Sequence, residues 1–280
     1  MTNSINKTVL YDKVTVYNNF LKDTDQYKQL LIDSEFNVGG KYYFNEWKPW
    51  YTLGSMMDTN MPDKGVKIQD IYPDNEHALL QKKFMEAASD AFFTTTEDYI
   101  KEWNITLPKW QRSALSVCKF VPTPPEKQQY LALEYHTDTH HFNEDSPGNK
   151  FAVTCTMYLN DDYEGGEISF LDEVNGKVVK YKPKAGDVIV FPSGQPYFHG
   201  THQIWKGDRY IIRTWWFEDF PGTEEWLENE KKYGKEEWAK MEKERISLEY
   251  ESGQYHRHVL YPGQSSPEGS HSKPFYVREN

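Results

Sequence analysis

The sequence predicts a mainly β fold with flanking helices: a double-stranded β-helix core, that is, a jelly roll of the cupin-like type, buttressed by N-terminal helices. Two observations lead to this prediction. From about residue 113, short apolar runs alternate with turn residues, which is typical of successive antiparallel strands. Upstream of that point, two longer segments carry apolar residues at helical spacing. Because no helical pattern interrupts the strands, a jelly roll or a related β-sandwich is favoured over an alternating α/β fold.

The segment before residue 113 supplies a strand and the two supporting helices. Residues 14–17 alternate apolar and polar side chains and predict a strand. A helix is expected over 24–34 and a second over 75–103, each beginning at a residue that can act as an N-cap. Residues 35–72 between them are rich in Gly, Pro, Asp and Asn, which indicates an irregular loop with short strands. We expect both helices to pack on one sheet of the jelly roll.

The jelly roll itself is predicted to contain eight strands joined by tight turns. The pair Asn175-Gly176 is typical of a two-residue hairpin turn. A Pro-rich loop, residues 122–129, separates the first two strands. The predicted strands span 114–121, 130–136, 151–159, 167–171, 177–182, 187–191, 197–202 and 209–217.

We expect residues 1–220 to form one domain and residues 221–280 to form a charged C-terminal extension of helices and loops. The composition changes after Pro221-Gly222, where a heavily charged, helix-compatible stretch begins. Gly234 should divide this stretch into two helices, since glycine is a poor helix former. A solvated amphipathic appendage, a dimer contact and a cover over the substrate are all compatible with this composition, and the sequence leaves the oligomeric state open.

The composition narrows the classes of partner. The formal net charge is −11 and the pI is about 5.3, which argues against nucleic acid or an anionic membrane as the main partner. No apolar run approaches the roughly 20 residues that span a bilayer, and the first residues lack the apolar core of a secretory signal. Cys118 and Cys155 each lie in an apolar run and are expected to be reduced core residues. The sequence therefore predicts a cytoplasmic protein.

The strongest chemical signal is a His-x-Asp motif, His136-Thr137-Asp138, at the end of a predicted strand. Side chains two residues apart in a strand point to the same side of the sheet. A third ligand from a distant strand would complete a 2-His-1-carboxylate triad, which holds non-heme Fe(II) on one face and leaves the opposite positions open. His199 is preferred as this ligand because of its spacing to the basic residue Arg209, and His202 is the alternative.

Four stretches around this motif resemble the 2-oxoglutarate- and Fe(II)-dependent dioxygenases, in particular the prolyl-4-hydroxylase-like group. The stretch after the motif is similar to the family in its aromatic-Leu-Asn run and its Gly-Gly pair. A Pro-x-x-Gly-x-apolar run precedes the distal histidine, and a Gly-x-Arg strand follows it. The resemblance covers about residues 10–220 and lies in the stretches 14–23 (VTVYNNFLKD), 153–170 (VTCTMYLNDDYEGGEISF), 183–191 (PKAGDVIVF) and 207–217 (GDRYIIRTWWF).

The resemblance implies a set of site residues, cofactors and a reaction. The two residues of the His-x-Asp motif and His199 would be the metal ligands. Arg209 and Tyr158 would bind the distal carboxylate of 2-oxoglutarate, and Trp215 would lie beside this cosubstrate. Fe(II), 2-oxoglutarate and O₂ are the implied cofactors, with ascorbate as an accessory reductant. The implied reaction hydroxylates an unactivated C–H bond and converts 2-oxoglutarate to succinate and CO₂.

Two positions need separate consideration. Lys119-Phe120 stand where the family often has a tyrosine that hydrogen-bonds 2-oxoglutarate. Arg213 lies on the same predicted strand as Arg209 and should face the same side of the sheet. We therefore expect Arg213 to hold a substrate carboxylate or another anion, with a structural salt bridge at the mouth of the barrel as the alternative.

Three functions are compatible with the sequence. The first is prolyl hydroxylation of a peptide or protein, which the resemblance favours. The second is oxygenation of a free amino acid or another small anionic molecule, in which Arg213 would shape a compact pocket. The third is a non-catalytic, cupin-like protein that binds a metal or a ligand, and the full set of implied site residues speaks against it. The substrate would be selected by the loops at 35–72, 122–129 and 139–149.

Overall fold

The structure is a computed structural model. The three predicted substrate loops lie largely outside the part of the chain that it describes. The described residues are 5–35, 48–49, 56–60, 76–107, 110, 112–113, 115–123, 131–139, 150–219, 224–251, 256–266 and 272–278.

The larger of two main sheets has eight strands and contains the longest strand of the described chain. Its central strands pair antiparallel, and the strand Arg209–Asp219 lies between Lys150–Tyr158 and Ser116–Phe120. Across the sheet, the order is β1 (Lys7–Tyr11), β2 (Val14–Tyr17), β11 (Val188–Pro192), β7 (Lys150–Tyr158), β14 (Arg209–Asp219), β5 (Ser116–Phe120), β4 (Met56–Asn60) and β3 (Lys48–Pro49).

The smaller main sheet has six strands and faces the larger one. Residues from the facing sides of both sheets form one buried cluster, in which Phe170 of the smaller sheet packs against Phe191 of the larger sheet at 5.1 Å between ring centroids. The order in the smaller sheet is β10 (Lys177–Tyr181), β9 (Ile168–Asp172), β12 (His199–Thr201), β6 (Leu133–His136), β15 (His256–Leu260) and β16 (Lys273–Tyr276). A short separate pair joins β13 (Ile204–Lys206) to β8 (Glu164–Gly165).

Two helices, α1 (Thr24–Glu35) and α2 (Glu76–Trp103), cover the outer face of the larger sheet. Tyr27 of α1 stacks on Phe84 of α2 at 4.5 Å, and both belong to the same buried cluster as Tyr210, Ile212 and Trp216 of β14. Since side chains alternate along a strand, the odd-numbered residues of β14 from 209 to 215 point to the opposite, inner side. The prediction of a jelly roll buttressed by N-terminal helices is confirmed.

The eight predicted jelly-roll strands all occur, with boundaries shifted by up to three residues. The expected hairpin turn at Asn175-Gly176 also occurs, but four residues rather than two separate the paired residues Asp172 and Lys177. Gly176 has a φ of 65° and donates its N–H to Asp172 O at 2.8 Å. Cys118 and Cys155 are both buried, and neither is in a disulfide. They lie on opposite faces of the larger sheet, so they cannot form a disulfide with each other. None of the described helices is apolar and long enough to cross a bilayer.

The C-terminal residues contain more sheet than the sequence indicated. Two helices, α3 (Glu224–Tyr233) and α4 (Lys235–Glu251), are divided at Gly234, which has a φ of 87°. The chain then returns to the smaller sheet, where β15 pairs antiparallel with β6 and parallel with β16. The expectation of only helices and loops after residue 220 is therefore wrong for these two strands. The boundary itself stays a prediction, since residues 220–223 lie outside the described set.

Candidate metal centre

The smaller sheet brings the two histidines of the predicted triad side by side. His199 of β12 is the register partner of His136 at the end of β6, so both side chains leave the sheet on the same face. Asp138 follows two residues after His136. One ligand atom from each of these three residues lies within 4.8 Å of the other two. The Nε2 atoms of His136 and His199 lie 3.4 and 3.5 Å from the carboxylate oxygens of Asp138.

Backbone carbonyls fix the tautomers of both histidines. His136 Nδ1 lies 2.6 Å from Glu134 O, and His199 Nδ1 lies 3.3 Å from Tyr197 O. A carbonyl can only accept a hydrogen bond, so each Nδ1 carries the proton and each Nε2 keeps its lone pair for a metal. Burial lowers the pKa of His199 to about 4, although Asp138 opposes this effect. His199 is therefore neutral at physiological pH, which is the state that binds metal.

Arg209 lies at the start of β14 on the inner side of the larger sheet, and only 1% of its surface is exposed. Its Nη1 donates to Gly166 O, and its guanidinium lies 4.0 Å from the ring centroid of Phe120. The rings of Tyr158 and Tyr163 are both within 6 Å of it. Within the described chain, Nε has no hydrogen-bond partner and no carboxylate pairs with the guanidinium. A buried cation of this kind is costly without an anion beside it.

Tyr158, at the end of β7, is the second residue expected to contact the cosubstrate. It is buried beside Arg209, and burial raises the pKa of its hydroxyl above the usual value. Its O–H can act as a donor to a bound carboxylate. Phe120 stands where the resembled family often has a tyrosine, and it presents an aromatic face without a hydroxyl to the guanidinium of Arg209.

Arg213 and Trp215 continue the inner face of β14 beyond Arg209. Arg213 is buried, donates from Nε to Ser116 Oγ at 3.5 Å, and lies 5.1 Å from the ring of Trp215. Its charge contributes to the lowered pKa of His199, which indicates that it is near the triad. Trp215 stacks on Phe151 at 5.6 Å. The ring of Trp215 therefore lies against Arg213 and Phe151.

His202, the alternative third ligand, lies on the other side of the smaller sheet. Its Nε2 is 3.0 Å from Ser169 Oγ, which in turn is 2.8 Å from the hydroxyl of Tyr135. Ser169 and Tyr135 point away from the space between the sheets, because their neighbours Phe170 and His136 point into it. His202 is outside the group of three possible ligands.

Sequence reasoning missed His256. This residue is the register partner of His136 on the side opposite His199, so His199, His136 and His256 form a row across three strands. It is half-buried, and burial together with the nearby His136 lowers its pKa. Only the pairing of β15 with β6 reveals this position, and no local sequence signal indicates which distant strand will pair with β6. Tyr163 was also missed, although it lies within the quoted Gly-Gly stretch.

The residues present fit a divalent metal and a dicarboxylate. Two neutral imidazoles and one carboxylate suit a transition metal such as Fe(II). The orphaned Nε of Arg209 and the orphaned hydroxyl of Tyr163, whose ring lies beside the guanidinium, provide donors for one end of an anionic ligand, and the O–H of Tyr158 can add another. Both sets of residues open to the same space between the two sheets.

Comparisons with known proteins find similarity to oxygenases and hydroxylases. Residues 127–217 match the family model of the 2OG-Fe(II) oxygenase superfamily. Human prolyl 3-hydroxylase 2 is 42% identical over 64 residues, which are 22% of this chain and 9% of that protein. A PKHD-type hydroxylase of Prochlorococcus marinus (strain NATL2A) is 32% identical over 83 residues, which are 29% of this chain and 36% of that protein. The predicted resemblance to prolyl-hydroxylase-like 2-oxoglutarate oxygenases is confirmed.

Among solved structures, the viral collagen prolyl hydroxylase of Paramecium bursaria Chlorella virus-1 aligns with a TM-score of 0.45 and 17% identity. The alignment covers 74% of this chain and 97% of that one. The matched segments span 9% of the length of prolyl 3-hydroxylase 2 and 36% of that of the PKHD-type hydroxylase.

Proposed function

We propose, from the match of residues 127–217 to the 2OG-Fe(II) oxygenase superfamily, that this chain is a 2-oxoglutarate- and Fe(II)-dependent dioxygenase that hydroxylates an unactivated C–H bond. One observation carries the proposal. The cluster of His136, Asp138 and His199 shares the space between the sheets with Arg209, a fully buried cation that needs an anion. A metal site and a carboxylate site in one cavity are what a chelating keto acid requires.

Each residue has a role in this proposal. His136, Asp138 and His199 bind ferrous iron. Arg209 and Tyr158 bind the distal carboxylate of 2-oxoglutarate, where the guanidinium can donate to both oxygens. When bound, iron, 2-oxoglutarate and O₂ supply the oxidising chemistry, in which 2-oxoglutarate gives succinate and CO₂ and the substrate gains one oxygen atom. The ring of Phe120 excludes water from one face of the guanidinium, which strengthens its attraction for the carboxylate.

The preferred substrate in this proposal is a prolyl residue in a peptide or protein. Local similarity to prolyl 3-hydroxylase 2 and to a PKHD-type hydroxylase supports this choice. The net charge of −11 supports a substrate other than nucleic acid. Ascorbate as an accessory reductant, Trp215 as a residue beside the cosubstrate and a cytoplasmic location are further parts of the proposal. The two buried cysteines, which form no disulfide, are compatible with that location.

A small anionic molecule, such as a free amino acid, is the second candidate substrate. The observation that favours it is the burial of Arg213 on the inner face of β14, close enough to influence His199. A cation at this depth can select a carboxylate next to the reacting carbon, whereas a peptide bond offers no negative charge there.

The test of the oxygenase proposal is an anaerobic titration of the metal-free protein with Fe(II) and 2-oxoglutarate. The visible charge-transfer band of the chelated complex is expected in the wild type and in His202→Ala, whose side chain lies outside the cavity. The band should be lost in His199→Ala and weakened in Arg209→Ala. A wild type that binds iron but gives no band would instead favour the cupin-like binding protein. Peptides and free amino acids are then screened for succinate release and for the added oxygen.

The Arg213→Ala variant discriminates between the two substrate classes. If Arg213 binds a substrate carboxylate, the variant raises KM for an anionic substrate by about 10- to 100-fold, as expected for loss of a charge-assisted hydrogen bond. Conversion of 2-oxoglutarate without substrate should stay close to that of the wild type. An unchanged KM would remove this role from Arg213.

A further inference from the structure

We propose that a hydroxyl pair, Thr154 and Ser193, positions the Asp138 carboxylate for metal binding. This inference rests on the proposed function and extends it to two residues that no family motif assigned. Thr154 lies on β7 of the larger sheet, and Ser193 directly follows β11. Asp138 comes from the opposite sheet, after β6. The pair therefore links the carboxylate to the facing sheet.

Three short contacts connect these residues. Thr154 Oγ1 donates to Asp138 Oδ2 at 2.8 Å and also lies 2.8 Å from Ser193 Oγ. The backbone N–H of Asp138 donates to Ser193 O at 2.9 Å. Ser193 N–H in turn donates to Ala152 O at 3.0 Å, which ties the loop after β11 to β7. Ser193 thus holds the backbone of Asp138 and Thr154 holds its side chain, and these two residues contact each other across neighbouring segments of the larger sheet.

Proton counting fixes the direction of the hydroxyl chain. An ionised carboxylate can only accept hydrogen bonds, so the single hydroxyl proton of Thr154 goes to Asp138. The contact between the two hydroxyls must then use the proton of Ser193, with Thr154 Oγ1 as the acceptor. Ser193 polarises Thr154, and Thr154 donates to the carboxylate, so the chain strengthens in one direction.

Because these residues are buried, their hydrogen bonds restrict the orientation of the Asp138 carboxylate. The exposed fractions are 0% for Ser193, 2% for Thr154 and 6% for Asp138, so water does not compete for these contacts. A carboxylate anchored at Oδ2 cannot rotate freely about its Cβ–Cγ bond. It therefore keeps the same edge toward the two histidines before any metal arrives. Partners of this kind around metal ligands typically change metal affinity by about 10- to 100-fold when they are removed.

The test uses Thr154→Val, which removes the hydroxyl at nearly constant volume. We expect its dissociation constant for Fe(II), measured by anaerobic titration, to rise about 10- to 100-fold. The visible spectrum of the Co(II)-loaded variant should also change, because it reports ligand geometry independently of turnover. Thr154→Ser, which restores the hydroxyl, should recover wild-type affinity. A merely structural role would lower the melting temperature without changing the affinity or the spectrum.

Thr156→Val is the matched control. Thr156 lies on the same face of β7, is 8% exposed and makes no side-chain contact with Asp138 within the described chain. The affinity of the Thr156→Val variant for Fe(II) should therefore equal that of the wild type. Equal affinity of Thr154→Val and wild type would overturn the inference. If Thr154→Val does not fold, Ser193→Ala decides. A weaker affinity than that of the wild type supports the chain, and an unchanged one overturns it.

The outcomes separate this inference from the proposed function. A wild type that fails to bind Fe(II) overturns both. A wild type that binds Fe(II) and 2-oxoglutarate, together with a Thr154→Val variant of equal affinity, overturns only the positioning role. In the double variant Thr154→Val/Ser193→Ala, the loss should equal that of Thr154→Val alone, since Ser193 acts through Thr154. Additive losses would contradict the proposed direction of the chain.

Discussion

Among single residues, Gly166 is placed where a side chain would press on the Arg209 guanidinium. A Cβ atom at Gly166 would lie 2.9 Å from Ile204 Cγ1, 3.0 Å from Tyr163 Cε2 and 3.3 Å from Arg209 Nη1. Its φ of 69° is also unfavourable for other residues. The absence of a side chain at Gly166 therefore leaves room for the Arg209 guanidinium, in addition to permitting the tight Gly-Gly turn.

We predict that Gly166→Ala weakens binding of 2-oxoglutarate because it displaces the guanidinium, by about tenfold if one charge-assisted hydrogen bond is lost. The matched control is Gly263→Ala. Gly263 has a φ of 84° but nothing within 4 Å of its Cβ position, so this variant carries the backbone strain without the contact. Both variants should lose about 1–2 kcal/mol of stability from the positive φ. Equal affinity for 2-oxoglutarate in the two variants would contradict the prediction.

The lowered pKa of His202, which lies outside the metal centre, predicts that the free energy of unfolding depends on pH. Burial is the largest cause that lowers its pKa in the folded state from the usual value of 6.5, and Lys180 adds to it. Below about pH 6.5 the unfolded chain takes up a proton that the folded state resists. His202 therefore favours the folded state above that pH, and this contribution is lost as the pH falls through the lowered pKa.

The measurement compares wild type with His202→Gln, which can still hydrogen-bond Ser169 but does not titrate. Denaturant unfolding of the metal-free proteins at several pH values between 7 and 5 should give a steeper loss of stability in the wild type. Parallel curves would show that His202 does not contribute to the slope.

At the scale of elements, β15 holds the strand that carries His136. β6 has only four residues, and β15 supplies its second neighbour. Arg257 of β15 stacks on Phe198 at 3.9 Å and pairs with Glu173 at 3.1 Å, which fastens the C-terminal strand to the outer side of the same sheet. Without β15, β6 would be a four-residue edge strand, and its backbone amide hydrogens would exchange readily with solvent.

We predict that Arg257→Ala increases amide hydrogen exchange in residues 133–136, although this substitution does not touch the metal ligands. Hydrogen-exchange mass spectrometry of the full chain checks this directly. Lys240→Ala serves as the control, since Lys240 forms only an exposed pair with Glu244 on α4. Unchanged exchange in 133–136 would mean that β15 adds little to the stability of β6.

The elements themselves were largely predictable, and their partners were not. Short apolar runs between turn residues predicted the eight jelly-roll strands, because central strands such as β5, β9 and β11 are buried on both faces. Helical spacing predicted α1 and α2. The short strands β15 and β16 carry few apolar residues and lie in a loop-rich composition, so their pattern is weak. Their pairing with β6 depends on contacts distant in sequence, which propensity does not encode.

In the candidate site, the sequence predicted the three members of the His-Asp-His cluster but not the residues around them. His136, Asp138 and His199 follow a spacing that is visible in one dimension, and the structure brings them together. The hydroxyls of Thr154 and Ser193, and His256, become neighbours only through sheet register. Threonine and serine are common in strands and turns, so their presence gives no signal until the fold aligns them.

For the whole molecule, ligand binding should raise thermal stability. A ligand at about 100 times its dissociation constant adds about 2.7 kcal/mol to the free energy of unfolding, which for a chain of this size raises the melting temperature by about 5 °C. We predict such an increase when Fe(II) and 2-oxoglutarate are added together under anaerobic conditions. Asp138→Ala should show no increase. Chelation of the metal should reverse the effect in the wild type, and a melting temperature insensitive to both additions would contradict a shared site.

The pairing of β15 with β6 also sets an order of events during synthesis. β15 follows β6 by about 120 residues, so at typical ribosomal rates of about 5–20 residues per second the strand carrying His136 waits on the order of ten seconds for its second neighbour. Until then one edge of that strand is open, and His136 is flanked on one side only. The candidate iron site therefore gains its full framework only after His256–Leu260 have been synthesised, so termination before that point would leave a chain that has His136, Asp138 and His199 without their complete support.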